Sequence, residues 1–149
     1  MRIKEFIIDD FGLIITASLL ALAGAYFSQY IGKLQPCILC VYQRLPYFLL
    51  AIVALIALRF HKIRKPLAYV IVVLLIGEIA LAIYHVGIER YIFKESYICQ
   101  LRNDGLASTC SQVLFRFMNL SMAEWNVIYA SSILYYFIKR GRKNGSFTW

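Results

Sequence analysis

An all-α membrane bundle is the fold class that this sequence predicts, and three observations predict it. Of the 149 residues, 61% are apolar and only 16% charged, with a mean hydropathy of +0.67. A soluble domain runs about 45–50% apolar and about 25% charged. The apolar residues gather in long uncharged runs, the sequence mark of helices that satisfy their own backbone in lipid. The basic residues crowd between and after those runs. The length fits one integral membrane domain over residues 1–149, and apolar residues throughout the chain exclude disorder.

Each span follows from its run. Residues 11–31 form 21 uncharged positions, enough to cross a hydrocarbon core of about 30 Å. Ala17, Ala21, Gly24, Ala25 and Ser28 recur there at helical spacing, which predicts a face for close helix packing. Residues 45–60 make a second uncharged run, which reaches span length from residue 41. Residues 67–87 form the third, interrupted only by Glu78. Residues 122–138 form the fourth and most polar, with Glu124 at its start. Four spans at approximately 11–31, 41–60, 67–87 and 122–138 are therefore expected. In the segment between the third and fourth, Val113, Leu114, Phe115, Phe117, Met118 and Leu120 surround Arg116, a pattern that predicts a short helix lying on the membrane surface.

The charge sets the orientation. Arg2 and Lys4 precede the first span, Arg59, Lys62, Arg64 and Lys65 fill the second link, and Lys139, Arg140, Arg142 and Lys143 follow the fourth. These ten of the sixteen basic residues belong on one side, assigned to the cytoplasm. Both termini are then cytoplasmic, which demands an even number of spans. The net charge of +8 thus reads as a topology signal and excludes nucleic acid as the partner. A cleaved leader is not expected either, because Glu5, Asp9 and Asp10 interrupt the basic segment that a signal peptide requires.

With this topology all four cysteines face the non-cytoplasmic side, an oxidising compartment in bacteria. Cys37 and Cys40 form a C-x-x-C pair after Pro36, and Cys99 and Cys110 lie in the long second outer loop. Cys40 falls near a helix N-terminus, where the dipole favours a thiolate. Arg44 is four residues on, on the same helical face. Three readings compete: redox-active pairs, structural disulfides in a scaffold, and a zinc site. The spacing C-x2-C with C-x10-C is not a clean zinc-ribbon pattern, so no metal is expected.

The segment Pro36-Cys37-Ile38-Leu39-Cys40, followed by Val41-Tyr42-Gln43-Arg44, resembles the Pro-Cys-x-Leu-Cys-x-x-x-Arg signature of the disulfide bond formation protein B (DsbB) family. Tyr84-His85-Val86-Gly87-Ile88-Glu89 is similar to the YHxGxE stretch of its shorter members, and the segment from Cys110 to Asn126 is also similar to that family. The resemblance implies a thiol:quinone oxidoreductase of the bacterial inner membrane. Such an enzyme reoxidises a periplasmic DsbA-type partner and passes two electrons to ubiquinone or menaquinone. It implies resting disulfides Cys37–Cys40 and Cys99–Cys110. Cys99 would be attacked by the partner's thiolate, Cys110 would pass the exchange to Cys37, and Cys40 would contact the quinone with Arg44 beside the ring. His85 is a candidate proton carrier for the same quinone. The chain departs from the family's pattern in the short interval of ten residues between Cys99 and Cys110, which bears on the order of exchange. A vitamin K epoxide reductase-like enzyme is the alternative, disfavoured because its C-x-x-C pair comes last and here it comes first. Glu78, in mid-span, is expected to be protonated and bonded inside the bundle.

Overall fold

The computed structural model describes residues 10–95, 97–100, 109–113 and 115–144, and these described residues form six α-helices, a 3-10 turn and one small hairpin. Helix α1 spans Asp10–Tyr30 and α2 spans Ile38–Tyr42; α3 follows directly at Arg44–Arg59. A 3-10 turn at His61–Ile63 leads into α4, Arg64–Glu89. Helix α5 is one turn, Tyr97–Gln100. Strands β1 (Arg116–Phe117) and β2 (Leu120–Ser121) precede α6, Met122–Asn144.

The breaks have local causes. Pro46 has no N–H to return to the carbonyl of Tyr42, so α2 ends there and the chain turns at Gln43 before α3. Pro66 sits in the first turn of α4, where no backbone donor is missed. Helix α6 opens with a reciprocal cap: the Ser121 N–H donates to Glu124 Oε2 at 2.8 Å, and the Glu124 N–H donates to Ser121 Oγ at 3.2 Å. This is the S-x-x-E capping box, which satisfies two of the donors a helix start leaves open.

The four long helices pack in a ring, α1 on α3, α3 on α4, α4 on α6 and α6 back on α1, the last contact being the sparsest. Among the described residues three helical stretches, Asp10–Tyr30, Ile38–Arg59 and His61–Glu89, are long and apolar enough to cross a membrane. Helix α6 has 23 residues, about 34 Å at the α-helical rise. It is long enough to accompany them, but its polar start and basic end set it apart in composition.

The main core joins Phe11, Ile14 and Leu22 of α1, Leu50, Ala54 and Ala57 of α3, Ala68, Ile71 and Leu75 of α4, and Ile133 and Phe137 of α6. Ala54, Ala57 and Ala68 have no exposed surface. Small side chains there bring α3 and α4 together where lipid supplies no hydrophobic drive for association. At this end the basic residues are tied back: Arg140 Nε lies 3.2 Å from Asp10 Oδ1, and the Arg64 guanidinium sits 5.4 Å from the centre of the Phe11 ring. A second cluster at the opposite end contains Cys37, Leu39, Ile88, Cys99 and Cys110.

One expectation is corrected here. The segment around Arg116 is not a surface helix but a hairpin, with Arg116 opposite Ser121 and Phe117 opposite Leu120. Its two turn residues, Met118 and Asn119, both have positive φ, 52° and 65°. That is the conformation of a two-residue hairpin turn whose twist matches its strands. The Trp125 indole N–H donates to the Phe117 carbonyl at 3.1 Å and ties the hairpin to α6. Leu114 of the expected surface helix, and the basic Arg2, Lys4 and Arg102, lie outside the described residues.

Candidate active site: two cysteine pairs beside a seam cavity

Cys37 is the residue that caps α2. Its backbone is extended, and its sulfur accepts the N–H of Cys40 at 3.3 Å. The donor at the helix start is therefore spent on Cys37, one turn earlier than the sequence suggested. The two sulfurs are 2.9 Å apart and both cysteines carry free thiols, so the expected Cys37–Cys40 bond is open in this state. An S–S bond is about 2.05 Å long, so closing it takes a movement of under about 1 Å. Cys99 and Cys110 are disulfide-bonded, with Cα atoms 5.9 Å apart. This pairing is the one that the family resemblance implied. The two pairs pack together with Leu39 and Ile88, so the tertiary fold brings together cysteines 59 to 73 residues apart in sequence.

His85, on α4, places Nε2 3.5 Å from Cys37 Sγ and 3.9 Å from Glu89 Oε1. The Cys37 thiol is pushed down to about 5, chiefly by its hydrogen bond with Cys40, with further help from His85 and the Cys40 N–H, against the opposing effect of burial. That direction favours the thiolate at Cys37, the form that exchanges with a disulfide. His85 is buried and faces Cys37; it does not line the cavity described next. The neighbour that the structure gives this candidate proton carrier is the Cys37 sulfur. Gly87 explains its own place in the same stretch. The Ile92 and Phe93 amides both return to its carbonyl, the Phe93 ring stacks on Tyr84, and a Cβ at Gly87 would overlap that ring.

A cavity of about 420 Å³ occupies the seam between α1 and α6, where ring packing is thinnest. This is within the range of small-molecule sites, about 300–1,000 Å³. Its wall is mostly apolar, and its rim includes Leu20 and Trp125, both exposed on the outer surface of the bundle. Cys40, Gln43, Arg44 and Tyr47 line one side; Asn126 and Tyr129 of α6 line the other. The small residues of α1 turn out to serve this space. Ala21, Gly24, Ala25 and Ser28 line it, and nothing lies within 4 Å of where a Cβ on Gly24 would be. The inner part of the stripe packs as expected, with Ala17 and Ala21 against the core, while its outer part, from Gly24 on, leaves room beside α6.

Two residues of the cavity wall carry a buried donor with no hydrogen-bond partner among the described residues, Gln43 at Nε2 and Arg44 at Nε. The rest of the Arg44 head is held: Nη1 donates to Gln29 Oε1 at 2.6 Å, and the guanidinium lies 4.8 Å from the centre of the Tyr26 ring. A buried unpaired donor costs about 1–3 kcal/mol unless something accepts from it. An apolar ring bearing carbonyl oxygens supplies such an acceptor, so these residues fit a quinone. Sequence reading picked out Arg44 and passed over Gln43, Tyr47 and Asn126. Gln43 lies inside the quoted signature, but only folding shows that its amide is unsatisfied at a cavity. Cys37, Cys40 and His85 also offer three donor atoms within 4.8 Å of one another, a grouping that the reduced pair and its histidine already account for.

Comparison with known proteins points to one family. The family model described as Disulfide bond formation protein DsbB matches residues 10–138. A protein of Rickettsia prowazekii (strain Madrid E) is 30% identical over 132 residues, covering 78% of this chain and 77% of its own length. Disulfide bond formation protein B of Shewanella sp. (strain MR-4) is 29% identical over 150 residues, covering 82% of this chain and 80% of its own. The protein of that name from Acinetobacter baylyi is 23% identical, covering 83% and 84%. No solved structure matches significantly.

Proposed function

Because this chain belongs to the DsbB family of membrane disulfide-bond-forming proteins, we propose that it is a thiol:quinone oxidoreductase that reoxidises a periplasmic DsbA-type partner. The observation that carries this reading is the position of Cys40. Its sulfur lies 2.9 Å from Cys37 on one side, and Cys40 itself lines an apolar cavity with two unsatisfied donors on the other. A single membrane domain of four spans, with α6 as the fourth, agrees with the length of α6 and with its return to the basic end. That end is assigned to the cytoplasm and the cysteine end to the periplasm of the bacterial inner membrane.

The chemistry runs by exchange. A thiolate of the reduced partner attacks Cys99, the Cys99–Cys110 bond breaks, and Cys110 leaves as a thiolate. The partner's second thiol then releases the partner as a disulfide. Cys110 attacks Cys37 of a closed Cys37–Cys40 pair and sets Cys40 free as a thiolate; Cys99 then displaces Cys37 and restores Cys99–Cys110. The result is the state described above, with the outer pair oxidised and the inner pair reduced. A bound quinone supplies the two-electron, two-proton acceptor. In closing to a disulfide, Cys37 and Cys40 give up two electrons and, counted from the dithiol, two protons. Gln43 Nε2 and Arg44 Nε would hold its carbonyl oxygens, and the Arg44 charge would favour electron density beside Cys40. His85 steadies Cys37 as a thiolate while the pair is open.

Purified protein in detergent, given a reduced DsbA-type partner and ubiquinone or menaquinone, is expected to bleach the quinone absorbance. The Cys40→Ser variant is expected to fall to background. Normal turnover by Cys40→Ser would refute the assigned electron path. Inert wild-type protein with both quinones and an intact Cys99–Cys110 bond would leave the disulfides as structural staples.

A further inference from the structure

Glu78 has no exposed surface and sits in the longest apolar helix, a position where an ionisable side chain is costly and calls for an explanation. None of the exchange steps uses it. Its Oε1 accepts a hydrogen bond from Asn126 Nδ2 at 2.6 Å. Asn126 Oδ1 in turn accepts from the Tyr47 hydroxyl, also at 2.6 Å. This chain crosses from α4 through α6 to α3 and ends in two residues of the cavity wall, Tyr47 and Asn126. Tyr47 lies one helical turn inward from Gln43, so the chain borders the cavity deeper in the bundle than the two unsatisfied donors.

The bonds are directional. An amide has an acceptor end and a donor end, and the Glu78 oxygen, which accepts, holds the donor end of Asn126. That leaves the Asn126 oxygen for the tyrosine, which fixes where the phenol hydroxyl stands. Without the Glu78 oxygen the amide is free to flip, and Tyr47 loses its defined acceptor. We propose that Glu78 is a positioning residue for the quinone reaction: through Asn126 it holds Tyr47 in place as the inner wall of the cavity that receives the quinone ring. This rests on the quinone reading of that cavity. The role requires an acceptor oxygen at position 78, not a charge, and no proton moves along the chain.

The test uses the full-length protein and steady-state quinone reduction with a reduced DsbA-type partner, alongside the rate of mixed-disulfide formation with that partner. Glu78→Gln keeps an acceptor oxygen and is expected to retain the wild-type KM for quinone within about twofold, whereas Glu78→Ala raises it about tenfold. Mixed-disulfide formation at Cys99 is expected to be unchanged in both. Tyr47→Phe removes only the hydroxyl and raises the same KM, and Tyr47→Phe combined with Glu78→Ala is expected to be no worse than Glu78→Ala alone, because the two act as one unit. If Glu78→Ala fails to fold, Tyr47→Phe and Asn126→Ala carry the test, with the same shared rise in KM and no additivity.

Glu78→Gln that abolishes turnover at unchanged KM would overturn positioning in favour of proton supply. Fully additive effects, or an unchanged KM in Tyr47→Phe, would also overturn it. A wild-type protein inert toward quinone would instead bring down the quinone reading itself, a result visible before any variant is made.

Discussion

The two ends of the bundle are built from the same helices and packed in opposite ways. At the basic end, aromatic and aliphatic side chains from all four long helices close on one another, with Phe11 edge-on to Phe137 at 6.0 Å between ring centres. Toward the cysteine end the α1–α6 seam opens into the cavity, and two buried donors of its wall residues have no partner among the described residues. Both ends use small residues. Ala54, Ala57 and Ala68 are wholly buried because neighbouring helices fill the space they leave. Gly24 and Ala25 leave space that no neighbour fills. The difference teaches that a small residue in a membrane helix marks close packing only where another helix arrives, and leaves an open cavity where none does.

The largest expected effect lies at the tight end. Leu75 has no exposed surface, and Leu75→Ala is expected to cost about 2–5 kcal/mol of stability. The protein that remains folded should keep its KM for quinone, as followed by thermal unfolding in detergent and by turnover. A changed KM with unchanged stability would erase the distinction between the two ends. At the open end the outcome reverses: Ala25→Phe is expected to raise the KM for quinone about tenfold while changing stability by less than about 1 kcal/mol. Loss of stability without a change in KM would mean that the space is ordinary loose packing.

The smallest effect sharpens the account of the cysteine end. With its thiol pushed down to about 5, Cys37 is expected to react with iodoacetamide at a rate that is level above about pH 6 and falls only as the pH drops through 5. The sign follows from the thiolate being the nucleophile: protonation silences it, and protonation requires acid below its own midpoint. His85→Ala removes a hydrogen-bond partner 3.5 Å away, so the midpoint is expected to move upward. A rate that climbs steadily to pH 9 in the wild-type protein would contradict the thiolate assignment.

Much of this molecule was legible in the residue order. The apolar runs placed three helices within a few residues, and the capping box Ser121-Met-Ala-Glu124 stood in plain view as a helix start, although it was not read as one. The hairpin before it was not legible. A two-residue turn with positive φ at both positions usually announces itself with Asn-Gly or Asp-Gly, and here the positions hold Met118 and Asn119. Helical periodicity was therefore the stronger local signal, and it was the wrong one. His85 was found by its motif, but its contact with Cys37 was not legible, because a helix position specifies a level along the bundle and not the side chain opposite.

The sequence by itself determined the class of the protein and the polarity of its bundle. Uncharged runs of about 20 residues have only helical solutions in lipid, and the basic clusters mark one end of every helix they flank. It also supplied the cysteines and Arg44, through the resemblance their spacing carries. Tertiary structure alone decided what those residues meet. Only the sparse α1–α6 contact turns the small-residue stripe into a cavity, leaves Gln43 unsatisfied beside Arg44, and joins Glu78 to Tyr47 through an asparagine 48 residues away in sequence. Those contacts depend on the rotation of each helix about its axis, which is set by the packing of all four together and is written in no single segment.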